Sequence, residues 1–353
     1  MVSLLERGWA SFGAMPARPP DTLVCGATGF VGKALTERLV RDGELPRVLA
    51  RRPEVARAVL PAGVEVFEGD AVEGTGLEVA LEGISVVYYL IHSMGNQRRG
   101  LDFAESDRRA ATNLADAARR AGVDRIIYLG GLGDDVPVPS SHLASRREVG
   151  RILRSGPAAV TQLRAGIVVG PGGASFEMMV QLVEKLPIMI CPRWIDRRCQ
   201  PIALPDLVEY LVGCRRESRT RGETYAVGGP DVLRYSEMLM RIGRLVHRPP
   251  CLVILPRFTP GISAHWVGYI TDVSPDLARP IIEGMYVDAV CHEDRIRQVL
   301  PIPLQGFDRA VSDALAARAR TPHPPRLRGG HPVRPFEGRI LRLIRRARGD
   351  SDP

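Results

Sequence analysis

The stretch Cys25-Gly26-Ala27-Thr28-Gly29-Phe30-Val31-Gly32 sets three glycines at the spacing G-x-x-G-x-x-G, between an apolar run at 22–25 and a helical pattern at 31–41. A strand that enters a glycine turn ahead of a helix brings the backbone close to a pyrophosphate, and the first amides of the helix then bind the phosphates. In this context the motif predicts a dinucleotide site. The predicted binding residues of the turn are Gly26, Thr28, Gly29, Phe30, Val31 and Gly32.

Beyond this turn, apolar runs and helical patterns alternate along the chain. Strands are predicted at 22–25, 47–50, 64–67, 85–91, 125–129, 159–163 and 224–227. Helices are predicted at 31–41, 53–60, 77–81, 101–121, 142–155, 175–185, 207–214 and 235–246. Such alternation is typical of a parallel sheet with right-handed crossovers. The predicted fold is therefore α/β, a Rossmann doubly wound parallel sheet with a smaller C-terminal lobe.

The pattern divides the chain into four parts. Residues 1–20 are predicted to be a loosely ordered extension, and 21–169 an NAD(P)-binding domain. Regularity fades after Gly170, so 170–320 is predicted to be a smaller lobe that covers the substrate and borrows strands from the first sheet. An apolar set is expected to line this substrate lobe, although a set at such spacing is more often part of a core: Phe176, Met178, Met179, Trp194 and Trp266.

Charge is concentrated near the C-terminus. From Arg318 onward the sequence has ten arginines and three acidic residues, so this segment carries +7 of the net charge of +8 and the rest of the chain is nearly neutral. That distribution argues against nucleic-acid binding by the folded part. Six scattered cysteines without a C-x-x-C pair argue for reduced thiols in the cytoplasm and against a metal site.

The basic, Pro-rich tail at 321–353 contains a segment with a helical apolar stripe. At 336–348, apolar residues share one helical face and arginines cover much of the remainder. This pattern is typical of a segment on an anionic membrane surface, which predicts peripheral membrane contact. Docking on its own domain and disorder are alternatives that the pattern leaves open.

The residues after the second predicted strand bear on the choice of cofactor. An NAD site usually has an acid there to bind the ribose 2′-hydroxyl, but this chain has Ala50-Arg51-Arg52. Two guanidinium groups suit a 2′-phosphate, which predicts NADP, with NAD as the alternative. Asp70, after the third strand, is placed to contact the adenine edge, although a plain turn acid would look the same.

Short-chain dehydrogenases with this glycine pattern normally use a Tyr-x-x-x-Lys pair as proton donor or acceptor, and this chain lacks the pair. The chain has two lysines, and the residues four positions before Lys33 and Lys185 are Gly29 and Gln181. Where the pair should lie, the sequence has His142 and Arg146, one helical turn apart. His142 is therefore a candidate acid, and Arg146 a candidate ligand of the nicotinamide ribose. Alternatively, His142 caps the helix and Arg146 is a surface charge.

Two further positions follow predicted strands. His92 and Ser93 come after the fourth strand, where ligands bind in open α/β sheets, and His92 is a third candidate catalytic residue. Both can bind a ribose or substrate oxygen. Arg164, near the end of the sixth strand, is a candidate cofactor ligand or a structural salt bridge. Gly130 and Gly131 stand where related enzymes often have a catalytic serine.

From about residue 23 to 315 the chain resembles the atypical, NmrA-like short-chain dehydrogenase/reductases, in particular the YbjT-like group, and more distantly the NDUFA9-like proteins. Three stretches carry most of the resemblance: 26–32, the run Tyr88-Tyr89-Leu90-Ile91-His92-Ser93-Met94-Gly95, and the run Leu163-Arg164-Ala165-Gly166-Ile167-Val168-Val169-Gly170. Residues 192–194, 200–203 and 281–284 continue it. The resemblance implies a Rossmann core that binds NAD(P), with a small C-terminal lobe.

The residues and the resemblance lead to two functional hypotheses. The first is an NADP-dependent oxidoreductase that transfers a hydride to an apolar carbonyl, enone, quinone or isoprenoid-type molecule. The second is a non-catalytic NAD(P)H sensor or assembly factor of NmrA or NDUFA9 type. The missing Tyr-x-x-x-Lys pair favours the sensor, whereas His92, Ser93, His142 and Arg146 favour chemistry.

Overall fold

A computed structural model describes residues 21–93, 101–133, 140–255, 271 and 275–320. Up to Arg318 these residues belong to one compact unit. The predictions for the extension at 1–20 and for the tail at 321–353, including its 336–348 stripe, lie outside the described residues. The side chains of Trp194 and Trp266 lie outside them as well.

The seven predicted strands are present, and six further strands form three additional pairs. In chain order they are β1 (Thr22–Cys25), β2 (Arg47–Ala50), β3 (Glu65–Glu68), β4 (Val86–Tyr89), β5 (Arg125–Gly131), β6 (Ala159–Ala165), β7 (Val168–Val169), β8 (Ile188–Pro192), β9 (Arg198–Cys199), β10 (Ile202–Ala203), β11 (Thr224–Val227), β12 (Leu233–Arg234) and β13 (Cys251–Leu255).

Eight of the helices match the predicted positions, with ends that differ by a few residues, and the last three have no predicted counterpart. They are α1 (Phe30–Arg41), α2 (Pro53–Val59), α3 (Leu77–Leu81), α4 (Phe103–Ala121), α5 (Ser141–Leu153), α6 (Ala174–Lys185), α7 (Leu204–Arg216), α8 (Tyr235–Leu245), α9 (Pro275–Gly284), α10 (Arg295–Val299) and α11 (Phe307–Arg320). Within the described ranges, no helix combines the length and apolar character that a bilayer crossing requires.

Seven parallel strands form the central sheet in the order β11-β6-β5-β4-β1-β2-β3. This order confirms the predicted doubly wound α/β fold. After β3 the chain crosses back over the sheet and places β4 beside β1, so the direction in which strands are added reverses between β1 and β4. The carboxyl ends of these strands therefore open a crevice, the position at which such sheets bind ligands.

Apolar clusters cover both faces of the sheet. On one face, α1 and α7 pack through residues such as Leu35 and Leu211. On the other, α4 and α5 pack through Leu114 and Val149. Because successive strand side chains point to opposite faces, Tyr88 joins the first cluster and its neighbour Tyr89 the second.

The helices that bear the site residues have well-defined starts. Asp102 caps α4, since its carboxylate accepts a hydrogen bond from the Glu105 amide at 2.7 Å. Ser140 caps α5, since its hydroxyl accepts one from the Leu143 amide at 3.3 Å. The cap of α5 is therefore Ser140, and the alternative that His142 caps this helix is wrong.

A third apolar cluster belongs to the C-terminal part and joins α6, α8, α9 and α11. Phe176, Met178 and Met179 are 0 %, 2 % and 3 % exposed and lie inside this cluster. Their expected place in a substrate site is therefore wrong, because α6 turns them toward its neighbouring helices. The strand β11 belongs to the predicted C-terminal lobe by sequence, but it pairs with β6 in the central sheet. The boundary between the two predicted domains therefore stays a prediction.

Candidate functional site

A cavity of about 740 Å³ lies at the carboxyl ends of the central strands. Its volume falls within the range of small-molecule and cofactor sites. The structure brings most of the predicted binding residues to its wall: Gly26, Thr28, Gly29, Phe30, Val31, Gly32, Arg51, Asp70, His92 and Ser93. His142 and Arg146 also line it, whereas Arg52 and Arg164 are not part of its described lining.

The glycine turn needs its glycines for space. Gly26 has φ +90°, and a Cβ placed there would lie 2.8 Å from the carbonyl carbon and oxygen of Leu90. A Cβ on Gly32 would overlap the Gly26 carbonyl oxygen. The Gly29 amide donates to that same oxygen at 3.0 Å, which closes the turn. Side chains at these positions would push β1, β4 and α1 apart.

The N-terminus of α1 opens into the cavity. Gly29 is its N-cap residue and offers no side-chain cap, and the first turn contains no acid. The first amides of a helix have no acceptor within the helix. At the Gly29-Phe30-Val31-Gly32 turn they face the cavity together with the positive end of the helix dipole. This cradle fits the pyrophosphate of a dinucleotide.

Arg51 and Asp70 line the cavity beside the glycine turn, just after β2 and β3. Arg51 is exposed and lines the cavity just after β2. Asp70 lies after β3, where its Oδ1 accepts a hydrogen bond from the Val72 amide at 2.9 Å. Asp70 therefore stabilises its own turn at the cavity wall, and contact with an adenine edge stays a prediction for it.

A buried carboxylate, Asp107 of α4, organises the other end of the cavity. Its Oδ1 accepts from the Ser93 amide at 2.9 Å. Its Oδ2 accepts from the Ser145 hydroxyl at 3.1 Å and from Arg146 Nη2 at 2.9 Å, and lies 3.3 Å from His92 Nδ1. Burial by itself would raise the pKa of Asp107, but Arg146 and His92 hold it well below its usual range. The carboxylate is therefore ionised and acts as an acceptor.

Arg146 is buried, so the alternative that it is a surface charge is wrong. Its side chain is 6 % exposed. Besides Asp107, its two terminal nitrogens donate to the Ile91 carbonyl oxygen at 3.2 and 3.3 Å. Arg146 thereby ties α5 to α4 and to the end of β4. Its predicted contact with the nicotinamide ribose stays a prediction.

His92 and His142 face one another at the cavity wall, with ring centroids 4.9 Å apart. Burial, and next the positive charge of Arg146, lowers the pKa of His92 below 6.5. Burial, followed by His92 and Arg146, lowers the pKa of His142 well below 6.5. Both rings are therefore neutral near pH 7. Among the described residues, His92 Nε2 and His142 Nδ1 are buried without a hydrogen-bond partner.

Buried side chains of α5 and β6 fill the space beside Gly130 and Gly131. A Cβ on Gly131 would lie 2.8 Å from Leu143 Cδ2, and one on Gly130 would lie 2.8 Å from Gln162 Nε2. A side chain at either position would displace a buried neighbour. The two glycines therefore make room for Leu143 and Gln162 beside the cavity.

The wall beyond the histidines is largely apolar and comes from the C-terminal part. It includes Tyr235 at the start of α8, Ile281 in α9 and Met285 just after it. These three are 4 %, 9 % and 4 % exposed. They take the place in the wall that the sequence assigns to Phe176, Met178 and Met179.

Sequence reasoning missed Asp107, although a signal for it exists. The buried face of α4 repeats at Asp107, Ala110, Ala111 and Leu114, at the spacing of one helical stripe. An acid on an otherwise apolar stripe requires a buried partner. Arg146 on α5 is that partner.

Comparison with known proteins supports an NAD(P)H-binding site. Residues 26–166 match the family model described as NAD(P)H-binding. A ceramide reductase of Caulobacter vibrioides is 32 % identical over 168 residues, which cover 47 % of this chain and 52 % of that one. The chain thus spans about half the length of this relative.

Two further comparisons extend beyond this region. The mitochondrial NADH dehydrogenase [ubiquinone] 1 alpha subcomplex subunit 9 of Mus musculus is 23 % identical over 291 residues, 81 % of this chain and 74 % of the mouse protein. The crystal structure of an NADPH-dependent quinone oxidoreductase from Escherichia coli, complexed with NADPH, has a TM-score of 0.66 at 18 % identity. It covers 83 % of this chain and 99 % of its own. Residues 26–166 therefore form an NAD(P)H-binding domain, and these likenesses agree with the resemblance of the chain to the atypical, NmrA-like short-chain dehydrogenase/reductases.

Proposed function

We propose that the protein is an NADPH-dependent oxidoreductase that reduces the carbonyl or conjugated alkene of an apolar small molecule. The observation that carries this proposal is the arrangement of one cavity. A phosphate cradle lies on one flank, two neutral histidines lie beyond it, and an apolar wall closes the far end. When bound, the nicotinamide supplies a hydride.

The preference for NADPH rests on the residues after β2. The strand ends at Ala50, and Arg51 and Arg52 follow it in place of an acid. Both side chains are exposed, and Arg51 lines the cavity. A guanidinium forms paired, charge-assisted hydrogen bonds with a phosphate, which favours the 2′-phosphate of NADP over the 2′-hydroxyl of NAD.

The substrate class rests on the wall formed by Tyr235, Ile281 and Met285. Apolar surface of this kind is stabilised by contact with an apolar ligand. The names of two of the compared proteins agree with this assignment, since one is a ceramide reductase and the other a quinone oxidoreductase. A quinone, an enone or an isoprenoid-type carbonyl compound therefore fits best.

A second candidate function is a non-catalytic NAD(P)H sensor or assembly factor. The missing Tyr-x-x-x-Lys pair and the likeness to a subunit of the mitochondrial NADH dehydrogenase favour it. In such a protein the histidines would take part in binding and not in proton transfer.

Equilibrium binding and turnover separate the two functions. NADPH and NADH affinities are measured by nucleotide fluorescence, and NADPH oxidation is followed against quinones, enones and long-chain ketones. Gly26→Ala serves as the control that blocks the cradle. Tight NADPH binding with turnover of one apolar acceptor supports the reductase. Binding without turnover across all three classes contradicts it and supports the sensor, and absence of binding contradicts both.

A further inference from the structure

We propose that Asp107 and His92 form a proton-transfer dyad, in which His92 Nε2 exchanges a proton with the substrate oxygen and Asp107 is the positioning residue. The proposal deepens the reductase function given above and rests on it. The sequence also names His92 as a candidate catalytic residue, but it makes His142 the acid and does not include Asp107.

The first step is the tautomer of His92. The Asp107 carboxylate is ionised and can only accept hydrogen bonds, so at 3.3 Å His92 Nδ1 must be the donor. In the neutral ring the proton then lies on Nδ1, which leaves a lone pair on Nε2. A carboxylate that holds one ring nitrogen in this way fixes both the tautomer and the ring orientation.

The second step is where Nε2 is found. His92 lines the cavity, its side chain is 28 % exposed, and its Nε2 is buried without a partner among the described residues. A buried polar atom without a partner costs free energy unless a ligand satisfies it. The hydroxyl group of a bound alcohol would provide that partner for the neutral ring, and a carbonyl oxygen would accept a hydrogen bond from Nε2 once the ring is protonated.

The third step is the charge around the ring. The described charged and titratable groups that face His92 are Asp107 of α4 and Arg146 and His142 of α5. Arg146 compensates the charge of Asp107, so the imidazolium form of His92 gains little net stabilisation. A ring in this setting gives up its proton readily, as an acid that reduces a carbonyl must do.

The reaction then balances as follows. With a nicotinamide bound, the substrate carbonyl carbon would accept a hydride, which carries two electrons, and the C–O π bond would break. Before this step His92 takes a proton from water on Nε2, and the resulting imidazolium gives that proton to the oxygen, so that an alcohol forms. His92 becomes neutral with its Nδ1–H still on Asp107, and after product release it takes a proton from water.

His142 has a different part in this scheme. Its ring faces His92 at 4.9 Å with an interplanar angle of 37°, and Asp107 forms no hydrogen bond with it in the described structure. Nothing in this geometry fixes its tautomer. His142 therefore covers the dyad, and His142→Gln is the matched comparison for His92→Gln.

The experiment combines a spectrum with kinetics. In ¹⁵N-histidine-labelled protein, the nitrogen shifts of His92 report its tautomer without any turnover, with His92→Gln used for assignment and exposed His292→Gln as the control. The kcat, the KM and the pH profile of NADPH-dependent reduction are then measured for wild type, His92→Gln, His142→Gln and Asp107→Asn. NADPH affinity is measured for each variant.

We expect the Nδ1–H tautomer in the wild type. We expect kcat to fall by about 10²- to 10⁴-fold in His92→Gln, with NADPH affinity within threefold of wild type. His92→Gln keeps the Asp107–Arg146 pair, so the test does not depend on an unpaired buried charge. In Asp107→Asn the loss of the carboxylate lowers the pKa of His92, so the fall in kcat with rising pH moves to lower pH. If the role of Asp107 were purely structural, Asp107→Asn would lower the amount of active enzyme, but the pH at which kcat falls would stay the same.

Three outcomes overturn the dyad. One is an Nε2–H tautomer of His92 in the wild type. Another is a His92→Gln enzyme with kcat within threefold of wild type and an unchanged pH profile. The third is loss of turnover in His142→Gln alone, which would leave the reductase function standing and assign the proton to His142. Failure of the wild type to reduce any acceptor while it binds NADPH would overturn the reductase function itself.

Discussion

Asp107 Oδ2 lies 2.9 Å from Arg146 Nη2, and the two side chains are 1 % and 6 % exposed. This ion pair joins α4 to α5 beneath the cavity. Removal of one partner from a buried pair leaves an uncompensated charge, which costs about 3–5 kcal/mol. Replacement of both partners by apolar residues removes that penalty.

We therefore expect Arg146→Met and Asp107→Leu each to lower the free energy of unfolding by about 3–5 kcal/mol. The double variant should be less destabilised than the sum of the two single variants. Urea unfolding followed by circular dichroism measures all three. Arg109→Ala, which loses an exposed pair with Glu105, is the control and should stay within about 0.5 kcal/mol of wild type. Additive effects of the two buried substitutions would contradict this account.

The two buried histidines should make stability depend on pH. Their pKa values in the folded protein lie below 6.5, so the unfolded chain binds more protons as the pH falls below that value. The stability is complete above about pH 6.5 and is lost as the pH falls toward the folded pKa values, by at most about 1.4 kcal/mol per pH unit for each histidine.

Thermal unfolding between pH 7.5 and 5 measures this effect. The double variant His92→Gln/His142→Gln should lose less stability than wild type over the same interval. The exposed His292→Gln is the control and should follow the wild-type curve. If wild type and the double variant lost stability in parallel, these two rings would not be the source of the pH dependence.

Arg51 and Arg52 offer a direct test of cofactor preference. We expect Arg51→Ala to weaken NADPH binding by about 10- to 100-fold, because it removes a charge-assisted hydrogen bond worth about 1.5–3 kcal/mol. NADH has no 2′-phosphate, so its affinity should change less than threefold. Arg52→Ala should have a smaller effect, since Arg52 is not part of the described cavity lining. Equal losses for NADPH and NADH in Arg51→Ala would argue against a 2′-phosphate contact.

The glycine turn allows a matched pair of substitutions. In Gly32→Ala the new Cβ overlaps the Gly26 carbonyl oxygen, so the turn must open. Gly43 has φ +81° and empty space around the position of a Cβ. Gly43→Ala should therefore cost only about 1–2 kcal/mol of backbone strain and leave NADPH affinity unchanged.

Gly32→Ala should abolish measurable NADPH binding and also lower the melting temperature. Binding by fluorescence and unfolding by circular dichroism are measured on the same samples. Retention of full NADPH affinity in Gly32→Ala would remove the glycine turn from the site.

The fold could be predicted from the sequence because its signals are local. A buried strand such as β4 is a continuous apolar run in the sequence. The glycine turn indicates both where β1 ends and where α1 begins. The ends of α5 and α7 were less well predicted, since a cap such as Ser140 depends on hydrogen bonds that no periodicity reveals.

The site could be predicted only in part, for a physical reason. The cradle is contiguous in sequence, whereas the buried cluster joins the loop after β4 to α4 and α5. His92, His142 and Arg146 stood out as polar residues at strand ends or at the family's motif. Asp107 gains its importance only when two helices bring it to Arg146. The apolar wall was assigned to the wrong residues, because helical spacing alone does not tell which face of α6 meets a cavity.

The pairing of β11 with β6 has a consequence for how the protein is made. The chain leaves β6 at Ala165 and returns to it at Thr224, after it has formed β7 to β10, α6 and α7. On the ribosome, therefore, the nucleotide-binding half emerges with the edge of β6 still open. An unpaired strand edge invites pairing with other chains. We therefore expect a chain that ends before Thr224 to associate with other chains through the edge of β6, which β11 covers in the complete sheet.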